Sequence, residues 1–254
     1  MANTVLITGA SQGTGKATAL LFARQGYDVI LAARQPERLE QVAEAVRTEG
    51  RQALAVPTDM GDVQQVEVLV YKALDQFGRI DVLVNNAGYY ISGAMEQTSL
   101  DDWQRVMQTN FWGYLYTIRT LLPQFLERGS GTIVNVGGFG NRVVLPEMTA
   151  YFASKYAVIG LTNALRLELT PRGIQVSEVH PGVINSDFLE RAIIRSQDAA
   201  QSEERREQLQ AMLQASWVSQ PEAIAEAIWE AVQERRSEVI VGEPMAVAKA
   251  MIGR

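Results

Sequence analysis

Cysteine is missing altogether from this 254-residue sequence, and histidine occurs once, as His180. Without thiols there are no disulfides, no thiolate nucleophile and no thiolate-bound metal, and a single imidazole cannot build a metal site. No apolar run approaches the ~18 residues that suggest a membrane span. The first strand-like segment starts within a few residues of Met1, which leaves no room for a signal peptide, so a cytoplasmic enzyme is the default expectation. An excess of basic charge is lacking too: 23 Lys and Arg stand against 29 Asp and Glu, a net charge of −6 that argues against nucleic acid as a partner. Repeats, low-complexity tracts and Pro/Ser-rich linkers are absent, so the chain reads as one domain over 1–254. What is present, 47% hydrophobic and 20% charged residues, suits a globular protein with a large core.

The chain is organised around residues 5–21, VLITGASQGTGKATALL. Val5, Leu6 and Ile7 form the short apolar run of a strand covered on both faces, as in parallel sheets. Gly9, Gly13 and Gly15, interleaved with Ser11, Gln12 and Thr14, then lead into an apolar helix-forming segment that ends near Gly26. Glycines permit positive φ and close approach of a ligand, and the free N–H groups of a helix start attract phosphate. The stretch predicts a pyrophosphate cradle. A P-loop fits poorly, because Ala10 replaces its first glycine and Ala17 the Ser or Thr that would hold magnesium.

Strands and helices alternate after that turn, the pattern of a parallel α/β sheet. The second strand, 29–33, ends at Ala33-Arg34 with no acid. In dinucleotide folds an acid at this distance binds the ribose 2′-OH, whereas an arginine accommodates a 2′-phosphate, so Arg34 predicts NADP(H). A helix over 36–47 follows, with Leu39, Val42 and Val46 on its apolar side. The third strand, 53–56, leads to Thr58-Asp59-Met60. Asp59 is placed either to accept from an adenine amino group or to cap the helix that starts near Asp62. Strand 80–84 runs into Asn85-Asn86-Ala87-Gly88, small and amide residues that allow close cofactor approach. Residues 101–125 predict one long helix, with Trp103, Met107, Phe111, Tyr114, Ile118 and Leu122 at helical spacing and Asn110 as a polar residue within that stripe. Its plain alternative is a satisfied core amide.

Strand 132–136 precedes Gly137-Gly138-Phe139-Gly140, and Tyr151 and Lys155 then open a helix to about residue 170. Four apart, they share one helix face. A phenol ionises near pH ~10, and a nearby ammonium lowers that value, so the pair can run acid and base chemistry. His180 closes the strand 175–179 and reads as structural, with a minor candidacy from its nearness to the cleft. Residues 188–214 carry apolar pairs at both ends around a charged middle, as an amphipathic helical hairpin would. A helix over 221–235, a strand over 238–241 and an apolar tail over 244–252 complete the chain.

Thr8-Gly9 with Gly13 and Gly15, Asp59, Asn85-Asn86-Ala87-Gly88, Asn110, Tyr151 with Lys155, and Pro181-Gly182 follow one another over residues 1–187 in an order that resembles the compact short-chain dehydrogenase/reductases. The resemblance implies a Rossmann-type, doubly wound parallel sheet of about seven strands with helices on both faces. It makes Tyr151 the proton donor to a carbonyl, Lys155 the group that holds the nicotinamide ribose and lowers the tyrosine pKa, and Asn110 the anchor of a relay water. It further implies adenine contact by Asp59, cleft lining by Asn86, a backbone bond from Ile184 to the carboxamide, and Ser186 near the pyrophosphate. Residues 187–215 become a lid over the substrate, whose apolar bulk suggests an apolar ketone or secondary alcohol, and the assembly a homodimer or homotetramer.

One departure stands out. The family's serine 13 residues before the tyrosine is Gly138 here. Loss of one such donor costs ~10²–10³ in rate at an oxyanion hole. Three outcomes stay open: a weaker enzyme, rescue by Asn141, Thr149 or an ordered water, or a cofactor-binding sensor or scaffold without turnover. The tail also lacks the Asp-Gly-Gly ending common among acyl-carrier-protein reductases of the family. The expectation is an NADP(H)-dependent carbonyl reductase or alcohol dehydrogenase with no metal.

Overall fold

Strands covered on both faces need unbroken apolar runs, and TVLIT, the first strand, is buried at all five positions. The computed structural model describes residues 2–138 and 144–242. In chain order the elements are β1 Thr4–Thr8, α1 Gly13–Arg24, β2 Asp28–Ala33, α2 Pro36–Thr48, β3 Ala53–Pro57, α3 Val63–Phe77, β4 Val82–Asn85 and β5 Ile91–Ser92. There follow α4 Leu100–Met107, α5 Gly113–Arg128, β6 Gly131–Val136, α6 Thr149–Leu169, β7 Ile174–Pro181, β8 Ile193–Ile194, α7 Ala199–Met212, α8 Pro221–Gln233 and β9 Glu238–Val241. Seven strands form one all-parallel sheet in the order β3-β2-β1-β4-β6-β7-β9. Successive side chains of each strand point to opposite faces. Val5, Ile7 and Leu31 therefore pack with Phe22 of α1, Leu39 of α2 and Ile228 of α8, while Leu6, Ile30 and Ile133 pack with Leu69 of α3, Ile118 of α5 and Leu169 of α6. This is the Rossmann-type, doubly wound fold. The strand order reverses between β1 and β4, so the crevice that binds ligands in such sheets opens at their carboxyl ends.

Two stretches differ from expectation. Residues 101–125 are not one uninterrupted α-helix: α4 passes into a π-helical turn, Gln108–Trp112, before α5 resumes at Gly113. A Cβ at Gly113 would stand 2.8 Å from the carbonyl oxygen of Met60, so the helix runs hard against the loop after β3, and the widened turn carries Asn110 inward. Residues 188–214 are not a helical hairpin either. A 3-10 turn, Asp187–Arg191, leads to β8, which pairs in parallel with β5, and only then does α7 begin. Ile193 and Ile194 enter two separate apolar clusters, as consecutive residues of a strand do. Among the described residues no helix is long and apolar enough to cross a membrane. The tail over 244–252 and the loop residues Phe139, Gly140 and Asn141 lie outside the described residues.

Candidate active site

The turn after β1 is built by backbone freedom and tight packing. Gly9 and Gly13 adopt φ of +67° and +52°, conformations open to glycine. A Cβ on Gly9 would lie 2.9 Å from the Cα of Ala87, and one on Gly15 would lie 2.2 Å from the carbonyl oxygen of Gly9. Gly15 thus seats α1 against the turn and, like the buried Ser11, does not line the cleft. The Thr8 hydroxyl accepts from the backbone N–H groups of Asn86 (2.9 Å) and Ala87 (3.0 Å), and Asn86 Nδ2 donates to the carbonyl of Thr8 (3.0 Å). The ends of β1 and β4 are therefore locked together. Gly9, Gln12, Gly13 and Thr14 form one wall of the main cleft, Asn86, Ala87 and Gly88 another, and Pro181, Gly182, Ile184 and Ser186 a third.

An adjoining hollow shares Gly9, Ala87 and Gly88 with that cleft and is lined by Arg34, Asp59 and Met60. Asp62, not Asp59, caps α3, accepting from the backbone N–H of Gln64 (2.9 Å) and Gln65 (3.2 Å). Asp59 accepts only from the N–H of Gly61 (2.9 Å) and stays exposed in the hollow. The Arg34 guanidinium donates to the Tyr89 hydroxyl and lies over its ring, 4.9 Å from the centroid. Arg38 donates to Gln12 (2.7 Å) and to Glu190 of the covering segment (2.9 Å).

Tyr151 and Lys155 sit in the first two turns of α6, both in the main cleft with the glycine turn. Lys155 Nζ donates to the Val136 carbonyl (3.0 Å), which also accepts from Tyr114 (3.0 Å). Burial lowers the Lys155 pKa to about 8, against the opposing charge of Glu178. The Tyr151 phenol is pushed the other way from the lowering expected of a neighbouring ammonium: burial, and then Tyr90, raise its pKa. The Lys155 ammonium is engaged by a backbone carbonyl rather than by phenolate.

Asn110 is a satisfied buried amide. It accepts from Tyr89 N–H (2.7 Å) and donates to Tyr89 O (3.0 Å) and Ser154 Oγ (3.0 Å), tying the loop after β4 to α6 without lining the cleft. At Gly138 a Cβ would stand 2.7 Å from the Tyr151 hydroxyl, so the phenol fills the space where a serine side chain would begin. Thr149 is exposed at the start of α6 and is not among the residues that line the cleft.

The far end of the cleft is apolar, with Tyr90, Leu145, Met148, Val183, Leu209 and Met212. Ile193 and Ile194 lie beneath this lining rather than in it. The segment over 189–212 is held by Arg195, which donates twice to Asp102 (2.9 and 2.7 Å), and by an ion pair between Arg205 and Glu147. Sequence reasoning missed Tyr89, Tyr90, Arg38 and Arg191. The paired tyrosines directly after Gly88 were the available signal, since a strand's carboxyl end is where such sheets bind ligands.

A parallel sheet that reverses beside a glycine turn, with a half-buried tyrosine and a buried lysine across the cleft, defines the class of dinucleotide-dependent oxidoreductase folds. Within it the chain belongs to the short-chain dehydrogenase/reductases, because the short chain dehydrogenase family model matches residues 3–197. Over 240 residues it is 34% identical to the ketoacyl reductase HetN of Nostoc sp., covering 94% of this chain and 78% of that protein. A Burkholderia phymatum short chain dehydrogenase/reductase in complex with NAD superposes with a TM-score of 0.87 at 27% identity, covering 99% of this chain and 92% of the other. A short-chain dehydrogenase from Sphingobium yanoikuyae in complex with NADPH gives 0.77 at 30% identity, with coverage of 99% and 92%.

Proposed function

We propose that the protein is an NADP(H)-dependent carbonyl reductase that acts on an apolar ketone, with the secondary alcohol as product. The observation that carries this is the placement of Tyr151 and Lys155 on one helix face in the same cleft as the glycine turn. The residues present suit a dinucleotide: two positive-φ glycines at a helix start leave backbone open to a pyrophosphate, and Arg34 stands at the end of β2 where an acid would mark NAD(H). The solved relatives hold NAD in one case and NADPH in the other, so the choice of NADP(H) rests on Arg34. NADP(H), when bound, supplies the hydride.

This chain's residues hold and move the proton. The Tyr151 phenol, its pKa raised by burial, holds its proton at neutral pH and so carries the proton that a carbonyl oxygen takes up on reduction. Lys155 and Asn110 orient that helix face, Asn86, Gly88 and Ile184 shape the nicotinamide end, and Ser186, against Gly13, borders the pyrophosphate end. The apolar lining from Leu145 to Met212 excludes water and suits a hydrophobic substrate, and likeness to a ketoacyl reductase agrees with a keto group. The cytoplasm and a homodimer or homotetramer complete the proposal.

The competing reading is a cofactor-binding sensor with negligible turnover, which Gly138 favours. NADPH oxidation with aliphatic, aryl and keto-ester ketones, in wild type and Tyr151→Phe, separates the two. Turnover lost in the variant supports the reductase; tight NADPH binding without turnover in wild type supports the sensor.

A further inference from the structure

Two ionisable residues of β7, Glu178 and His180, are two positions apart and therefore share one strand face. Glu178 lies in register with Asn135, whose side chain donates to Thr162 of α6, so the pair faces the helix that carries Tyr151 and Lys155. Both are buried, at 2% and 3% exposure. His180 Nε2 lies 3.6 Å from Glu178 Oε2 and 3.3 Å from Oε1 of Glu238 on β9, and the Glu238 side chain is half exposed. The pair reaches solvent there.

At its inner end the pair meets Gly137. A Cβ on Gly137 would stand 2.8 Å from His180 Nδ1 and 3.1 Å from Glu178 Oε1, so the space a side chain would need is filled by the imidazole and carboxyl. The preceding residue is Val136, whose carbonyl accepts from Lys155. A glycine, an acid and the chain's one histidine thus fit together directly behind the catalytic helix. Burying a carboxyl and an imidazole costs free energy that apolar side chains, such as the flanking Val176 and Val179, do not incur.

We infer that Glu178 and His180 form a buried acid–imidazole pair, in proton exchange with solvent at Glu238, that sets the charge on Lys155. They are positioning residues for the reductase proposed above, and their bearing on turnover rests on that reading. The groups facing Glu178 are Tyr114 of α5, Lys155 and Arg166 of α6, His180 and Glu238. Burial raises the Glu178 pKa to about 7, against Arg166 and Lys155 and with help from Glu238. The Lys155 pKa lies at about 8, held up only by Glu178. The Glu178 carboxylate supports the Lys155 ammonium, and its loss lets Lys155 discharge at lower pH.

The single histidine gives a direct probe: the imidazole signals of 15N-histidine-labelled protein, followed against pH, report His180 with no need for turnover. In Glu178→Gln the His180 pKa is expected to fall. In Lys155→Met it is expected to rise, by a smaller amount, through the shared Glu178 carboxylate; the change in Glu178→Gln is expected to be about one pH unit, with the carboxylate oxygen 3.6 Å from the imidazole. In parallel, Glu178→Gln moves the alkaline limb of kcat/KM for NADPH-dependent reduction to lower pH by a similar amount. An unchanged His180 titration in both variants, or an unmoved limb, overturns the proposal. If Glu178→Gln does not fold, Glu238→Gln at the surface carries the same expectation of a lowered His180 pKa, and no response there overturns the pair. NADPH that is never oxidised while His180 responds to both variants removes the reductase and leaves the coupled pair standing.

Discussion

Gly138 and the Tyr151 hydroxyl compete for one volume, because a Cβ at 138 would lie 2.7 Å from that oxygen. Serine there adds a donor and displaces the phenol, while alanine only displaces it, so the two substitutions separate the effects. Gly138→Ala is expected to lower kcat below wild type, and Gly138→Ser to exceed Gly138→Ala, both measured by NADPH oxidation. Equal rates for all three would mean that neither the donor nor the phenol's position limits the reaction. Tyr151→Phe is expected to lower kcat by about 10²–10⁴, the usual worth of a positioned acid, while the NADPH Kd by fluorescence titration changes little. At Arg34 the proposal of NADP(H) rests on the sequence, since an arginine rather than an acid follows the end of β2. Arg34→Asp is expected to raise the Kd for NADPH about tenfold or more, the loss of a charge-assisted bond to phosphate, with NADH affinity unchanged or improved. The pKa of Tyr151 was not legible, because helical spacing brings Lys155 near but does not reveal that its ammonium is taken by the Val136 carbonyl.

Elements show the same division between local and non-local information. The start of α6 could be read because i and i+4 share a face whatever the surroundings. The π-helical turn around Asn110 could not, since an i→i+5 turn is set by the packing of Gly113 against the loop after β3 and a list of apolar positions does not record it. The helical-hairpin reading of 188–214 failed for a deeper reason: within that segment β8 pairs with β5, nearly half the chain earlier. What fastens the segment is a charged pair, and the expected consequence lies in substrate affinity. Arg195 is partly exposed, so the Arg195–Asp102 bonds are worth roughly 1 kcal/mol after screening. Arg195→Ala should raise the ketone KM about three- to tenfold with a smaller change in kcat; an equal fall in kcat with KM unmoved would place the pair outside substrate retention. The Asp102 pKa is depressed to about 2, first by Arg195, so its stabilising contribution is fully present above the ordinary carboxylate range near pH ~4 and is lost as pH falls through 2. Between pH 5 and 9 the fastening should therefore not titrate, and any pH dependence of KM there belongs to other groups.

Across the whole molecule, the alternation of apolar runs and helices was enough to give a parallel α/β sheet, and all seven of its strands, 238–241 included, were read from local patterns, whereas β5 and β8 were not. The outer surface tells more than the sequence did. Outside the core stripe expected over 101–125, Trp112 is 42% exposed and stacks on Tyr116, and Tyr71 of the adjoining α3 is 65% exposed. Val63 and Val68 of α3, and Tyr156 and Leu167 of α6, are exposed as well. Helices α3 and α5 pack side by side, so the exposed apolar residues of α3 and Trp112 belong to one layer of the molecule. A second copy is the economical partner, because a self-complementary face related by a two-fold axis buries each such residue twice. Light scattering coupled to size exclusion is expected to give a dimer or tetramer, and Trp112→Glu to shift it toward monomer with the circular dichroism spectrum retained. A monomer in wild type at micromolar concentration would mean that this layer faces water or a different protein.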